Sequence, residues 1–117
     1  MASAAPSFDP VVAHPARLRI LAALAHNDAS DFVSLRTITQ LTDGNLVTHA
    51  RRLNTAGLVG VHKSARDNGR QVTTYHLTAS GRIALEGHAR QLLSLLTPPA
   101  ETPIPSVVAD QDDDWID

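Results

Sequence analysis

Cysteine is absent from the 117 residues, and aromatic side chains make up only 3% of them. The first absence excludes disulfide frameworks, thiolate zinc sites and cysteine nucleophiles together. The second leaves Leu, Val, Ile and Ala to fill the interior within an apolar share of 43%, a supply suited to small packed helices. No apolar run approaches the ~20 residues of a membrane span, and the initial MASAAPSFDP has neither a basic start nor an apolar h-region. A cytoplasmic chain is expected. No glycine-rich phosphate loop occurs, Ser34, Ser64, Ser80 and Ser94 sit in no nucleophile motif, and carboxylates are scarce before the C-terminal segment. Neither catalysis nor a cofactor is expected.

The length suits one domain with a modest core. A net charge of −2 argues against a nucleic-acid partner only if charge is spread evenly, and it is not. All ten Lys and Arg lie in residues 1 to 100 against six acids, whereas residues 101 to 117 hold six acids and no base. Between Asn45 and Arg82 six bases face Asp67 alone. The mean conceals a basic middle and an acidic end.

Residues 1–12 read as a flexible arm, 13–97 as the folded domain, and 98–117 as a disordered, Pro-rich acidic tail. Within the domain, Leu18, Ile20, Leu21, Leu24 and Ala25 recur at helical spacing, and Pro15 stands where a first turn tolerates it. Phe32-Val33 reads as a short extended piece. Ser34 is expected to cap a second helix carrying Leu35, Ile38 and Leu41, which Thr42-Asp43-Gly44 ends as a turn. Asn45 is expected to cap a third helix to Ala56, with Gly57 as its stop. There Leu46, Ala50 and Leu53 fall on one arc, with Asn45, Thr48, Arg51, Arg52 and Thr55 opposite. LVGVHKS (58–64) and QVTTYHL (71–77) flank an Asn-Gly turn and read as a hairpin. Thr78 is expected to cap a last helix to about Leu96. The expected architecture is mainly α with a small β-hairpin: helix, short strand, helix, helix, two-stranded wing, C-terminal helix.

Several local pieces then fall in a familiar order: Leu41-Thr42-Asp43-Gly44-Asn45-Leu46, His49, Leu53, Ala56-Gly57-Leu58-Val59, Thr74-Tyr75-His76-Leu77-Thr78 and Gly81-Arg82. On these the chain resembles winged helix-turn-helix transcriptional regulators of the MarR and ArsR type, short single-domain members in particular. The likeness covers roughly residues 14 to 96. It implies a dimeric regulator with its third helix in the major groove of duplex DNA and the hairpin as a wing.

A helix seated on one side can hold donors rigidly on the other, and base edges need donors. Arg52 and Thr48 are expected to contact bases, with His49 and Arg51 on the same helix and Asn45 positioning a phosphate at its start. At the wing, Arg66 or Arg70 suits a narrow minor groove, beside Asn68, while Lys63 and Arg82 suit phosphates. The apolar stripe of the last helix (Leu85, Ala89, Leu92, Leu93, Leu96), with Leu18 and the arm residues Phe8 and Val11, exceeds what one small core needs. It is the expected homodimer surface, which implies a roughly palindromic site and, most simply, repression. No metal is expected: Asp9 with His14 and Glu86 with His88 are the only pairs, and residues two apart on a helix do not share a face. Two other readings compete: a winged helix that binds protein rather than DNA, and a regulator gated by a metal or a small-molecule effector. The tail from Asp110 to Asp117 reads as a solubilising end, a mimic of DNA phosphates, or a partner motif around Trp115-Ile116.

Overall fold

In the computed structural model, which describes residues 8–27, 29–65 and 68–97, the first helix is α1, Pro15–His26. Pro15 opens it where no N–H is needed, and the His14 ring Nδ1 caps it by accepting the Ala16 N–H at 3.1 Å. Ile20, Leu21 and Leu24 are buried. The flexible arm expected over residues 1–12 is not loose to its end. The Asp9 carbonyl accepts the Val12 and Ala13 N–H groups, its carboxylate accepts that of Val11, and Val12 is 1% exposed. That turn plugs the core beside α1.

A two-residue strand, β1 (Ser30–Asp31), leads into α2 (Phe32–Thr39). Here the expected boundary is corrected. Asp31, not Ser34, is the cap, accepting the Ser34 N–H at 2.8 Å, so Phe32 and Val33 are helical rather than extended. Leu35 and Thr39 face the core, while Ile38, expected beside Leu35, is exposed. The chain reverses at Gln40, whose φ of 60° is left-handed and whose N–H bonds the Arg36 carbonyl.

The helix that follows is α3, Asp43–Thr55, again starting before its expected cap. Thr42 Oγ1 accepts the Asn45 N–H at 3.2 Å, and Asp43 and Gly44 belong to the first turn. Leu46, Ala50 and Leu53 are all buried. Its C-terminus has the two bonds of a Schellman motif: Gly57 N–H to Asn54 O, and Leu58 N–H to Leu53 O, both at 3.0 Å. Gly57 supplies the φ of 80° that the motif requires.

Strands β2 (Val59–Ala65) and β3 (Gln71–Leu77) pair antiparallel from Val59↔Leu77 to Ala65↔Gln71. β1 adds to the other edge through Ser30↔Tyr75 and Asp31↔Thr74, giving the order β1-β3-β2. Only the root of the hairpin is buried, at Val59 and Tyr75, so the rest stands away from the core as a wing. Its tip is shaped by Asn68, which accepts the Arg70 N–H at 2.9 Å, and by Gly69 with φ 82°. Arg66 lies outside the described residues.

Helix α4, Ala79–Leu96, starts as expected at Thr78. The Thr78 hydroxyl accepts the Gly81 N–H at 2.9 Å and donates to the Gly57 carbonyl at 2.7 Å, while its N–H bonds the Leu58 carbonyl. The end of α3 and the start of α4 are thereby joined. Gly81 is buried in this joint. A Cβ there would collide with the Leu58 carbonyl and come within 2.7 Å of Leu77 Cδ1.

Candidate nucleic-acid interface

The three buried residues of α3 face α1 and the root of the sheet, so the 3.6-residue period sends Thr48, Arg52 and Thr55 outward, and all three are exposed. Asn45 is exposed as well, but its backbone N–H is already taken by Thr42. The helix also begins with Asp43, whose carboxylate lies 2.7 Å from Arg36 Nη1. A carboxylate in the first turn satisfies the positive end of the helix dipole. The Asn45 N–H is thus committed to the cap, and its exposed side-chain amide remains as a donor.

His49 turns to the α1 flank. Its ring centroid is 4.5 Å from that of His14, and its Nδ1 lies 3.3 Å from Arg17 Nη1. Arginine can only donate, so His49 Nδ1 is the acceptor and a neutral ring carries its proton on Nε2. The same guanidinium donates through Nε to the Val11 carbonyl at 2.6 Å and through Nη2 to the Pro10 carbonyl at 3.0 Å. Arg17 thus bolts the N-terminal turn, α1 and α3 together. Sequence reasoning missed it because its partners stand six, seven and 32 residues away.

Burial first, then the charges of His14 and Arg17, hold the His49 pKa below its ordinary 6.5. The fold therefore favours neutral His49. Its stabilising contribution is full above pH 6.5 and is lost as pH falls through the lowered value. The thermal midpoint should drop on acidification through this range, and His49→Gln should flatten that slope relative to the wild type. An unchanged slope in the variant would remove His49 from the joint.

On the opposite flank, α3 and the wing enclose a cleft of about 520 Å³. Phe32, Val47, Ala50, Val61 and Tyr75 line it together with the polar Asn54 and Thr73 and the exposed cations Arg51 and Lys63. Val47 and Val61 are each 38% exposed. Burial raises the Tyr75 pKa, keeping the phenol neutral. Asn54 donates to the Val59 carbonyl at 2.8 Å and fixes α3 against β2. Lys63, Asn68 and Arg70 are exposed along the wing, and Arg82 is exposed in the first turn of α4.

The expected dimer surface divides. Val11, Leu18 and Leu85 pack against their own core, and the Phe8 ring meets His88 of α4 edge-on at a centroid distance of 5.3 Å. These four are committed at least partly within the protomer. Ala89 is exposed, and so are Leu92 (46%), Leu93 (61%) and Leu96 (83%), joined by Ile83 and Leu95, which the sequence reading did not single out. Among the described residues no three His, Cys, Asp or Glu gather to hold a metal ion, and no helix is long and apolar enough to cross a membrane.

Comparison with known proteins matches this geometry. Residues 16–96 fit the family model of the winged helix DNA-binding domain. An uncharacterised protein of Methanocaldococcus jannaschii is 35% identical over 79 residues, which is 68% of this chain and 85% of that protein. Among solved structures, a transcriptional regulator homologue from Pyrococcus horikoshii superposes with a TM-score of 0.68 at 28% identity, covering 74% of this chain and 84% of the other. A MarR-family regulator from Silicibacter pomeroyi superposes at 0.56 with 20% identity over 72% and 55% of the two chains. The fold and family are those of transcriptional regulators rather than enzymes, and the chain belongs to the winged helix DNA-binding domain family, with the architecture of the MarR type.

Proposed function

We propose that the protein is a homodimeric repressor that reads a roughly palindromic operator in cytoplasmic duplex DNA. The observation that carries this reading is the two-sidedness of α3: Leu46, Ala50 and Leu53 are at most 2% exposed, while Thr48, Arg52 and Thr55 face solvent on the same rigid rod. Arg52 is the base-reading residue, since its planar fork matches the paired acceptors of guanine, and Thr48 contacts the neighbouring base edge. Arg51, Lys63, Arg70 and Arg82 supply phosphate contacts, and the wing lies along the flanking backbone or minor groove. His49 acts from behind, holding the angle of α3 against α1.

A second copy is called for by the end of α4, where Leu92, Leu93, Leu95 and Leu96 are all exposed. A helix end with a contiguous exposed apolar face of this width needs a cover. A twofold dimer formed there places two reading helices about one DNA turn apart, ~34–36 Å, and this symmetry demands the palindrome. Occupation of a promoter by such a dimer is sufficient for repression.

Selection of bound duplexes from a random pool, followed by footprinting, tests the whole reading. A symmetric consensus supports it, and the absence of any enriched sequence defeats it. Within the consensus, Arg52→Ala should cost about 1–3 kcal/mol and relax preference at one base position in each half-site. Equal weakening on every sequence would demote Arg52 to a phosphate contact. Affinity should also fall steeply with salt, by a log–log slope of about −0.9 for each phosphate neutralised. A flat salt response would point instead to a protein partner.

A further inference from the structure

The cleft between α3 and the wing has a character that DNA reading does not require. Phosphates and base edges are polar, yet the lining presents Val47 and Val61, each 38% exposed, with Phe32 and Tyr75, beside the polar Asn54 and Thr73. With this apolar surface stand two exposed cations, Arg51 on α3 and Lys63 on β2. The ligand that matches both features is a short segment with a large apolar side chain set among carboxylates. The chain contains one: DQDDDWID, residues 110–117, holds the single tryptophan, Trp115, followed by Ile116, among five of the six acids that lie after residue 100.

We propose that this acidic C-terminal segment docks in the cleft of its own chain, with Trp115 on the apolar surface and the aspartates against Arg51 and Lys63. An aromatic face beside a guanidinium adds a cation–π contribution to the charge pairing. The length permits it: seventeen residues lie between Thr97, at the end of α4, and Trp115. Fully extended they reach ~60 Å, well beyond the ~30 Å width of a domain this size. A tether of this kind gives an effective concentration of ~1 mM, so a segment with a Kd of only ~100 µM is docked roughly nine-tenths of the time and lowers a competitor's apparent affinity about tenfold. Because Arg51 and Lys63 are also phosphate contacts in the proposed function, the docked segment excludes DNA from that flank. This competition rests on that reading, whereas the docking itself does not.

Trp115 is the only tryptophan, so the emission of the full-length protein reports the segment directly, without DNA. The expected result is an emission maximum shorter than that of free indole, several-fold protection from acrylamide quenching, and both persisting on dilution. Val61→Asp and Lys63→Glu, at exposed positions, should each return Trp115 to solvent while the far-ultraviolet circular dichroism stays unchanged. Emission like that of free indole in the wild type overturns the proposal. So does protection that neither variant disturbs, or that disappears on dilution, since the segment would then sit elsewhere or on another molecule. With a selected duplex, changing Asp112, Asp113 and Asp114 together to Asn should tighten binding about tenfold at low salt; unchanged affinity overturns the competition. Protected Trp115 in a protein that binds no duplex would leave the docking standing and remove the DNA-binding reading.

Discussion

Changing Leu92 and Leu93 together to aspartate should convert the proposed dimer to a monomer and lower its affinity for an operator duplex by about 10²- to 10⁴-fold. Within one protomer these side chains are 46% and 61% exposed, so their replacement leaves the monomer fold intact and its thermal midpoint nearly unchanged apart from the linked loss of dimerisation. In a twofold dimer the same positions meet their own copies, and four carboxylates would be buried against one another without partners. The loss of DNA affinity follows from geometry rather than contact: once one half-site is engaged, the second is met at a high effective concentration, which is where the decades of avidity come from. Sedimentation velocity reads the first result and fluorescence anisotropy the second. A variant that still sediments as a dimer would mean that α4 is not the seam. A monomer with wild-type affinity would mean that DNA binding never required two copies.

Leu53→Ala should destabilise the domain by about 2–5 kcal/mol, a large share of the ~5–15 kcal/mol that holds a typical domain together. Leu53 is 0% exposed and contributes both to the seat of α3 and, through its carbonyl, to the bond that closes the helix at Leu58. The adjacent Arg52→Ala, at an exposed position, should leave stability within about 0.5 kcal/mol of the wild type. Urea denaturation of the two variants compares one position that holds the helix with one that uses it. A loss below about 1 kcal/mol for Leu53→Ala would mean that α3 is anchored elsewhere.

Periodicity and turn chemistry carry most of this fold on the surface of the sequence. The arc of Leu46, Ala50 and Leu53, the stop at Gly57, the wing around Asn68-Gly69 and the start of α4 at Thr78 are all local patterns, and each stands where the pattern puts it. The helix starts of α2 and α3 were misread in one consistent way. In both, two cap-competent residues lie three apart, Asp31 with Ser34 and Thr42 with Asn45, and the first of each pair receives the N–H of the second. Propensity cannot rank such pairs, because either side chain can accept the bond. For Asp31 the choice is made by β1, whose pairing to Tyr75 and Thr74 leaves Asp31 as the last extended residue. That pairing spans more than forty residues of sequence and is invisible to a local window. The same limit hid Arg17, and it hid the inward turn of His49, because α1 and α3 meet only after the chain has folded. The outward residues Thr48 and Arg52 were legible, since a helix with one face filled leaves no doubt about the other.

Thr78 carries a consequence for how such a molecule is tuned. A single hydroxyl bonds the last carbonyl region of one helix and the first turn of the next, with the buried Gly81 leaving no slack between them. The angle of α3, the proposed reading helix, is therefore geared to the angle of α4, the proposed seam of the dimer. One residue added between Leu77 and Ala79 would advance the terminal helix by ~100°; in the proposed dimer this would carry its greasy end out of register with its mate and alter the span between the two hands on the duplex, without changing any residue proposed to touch a base.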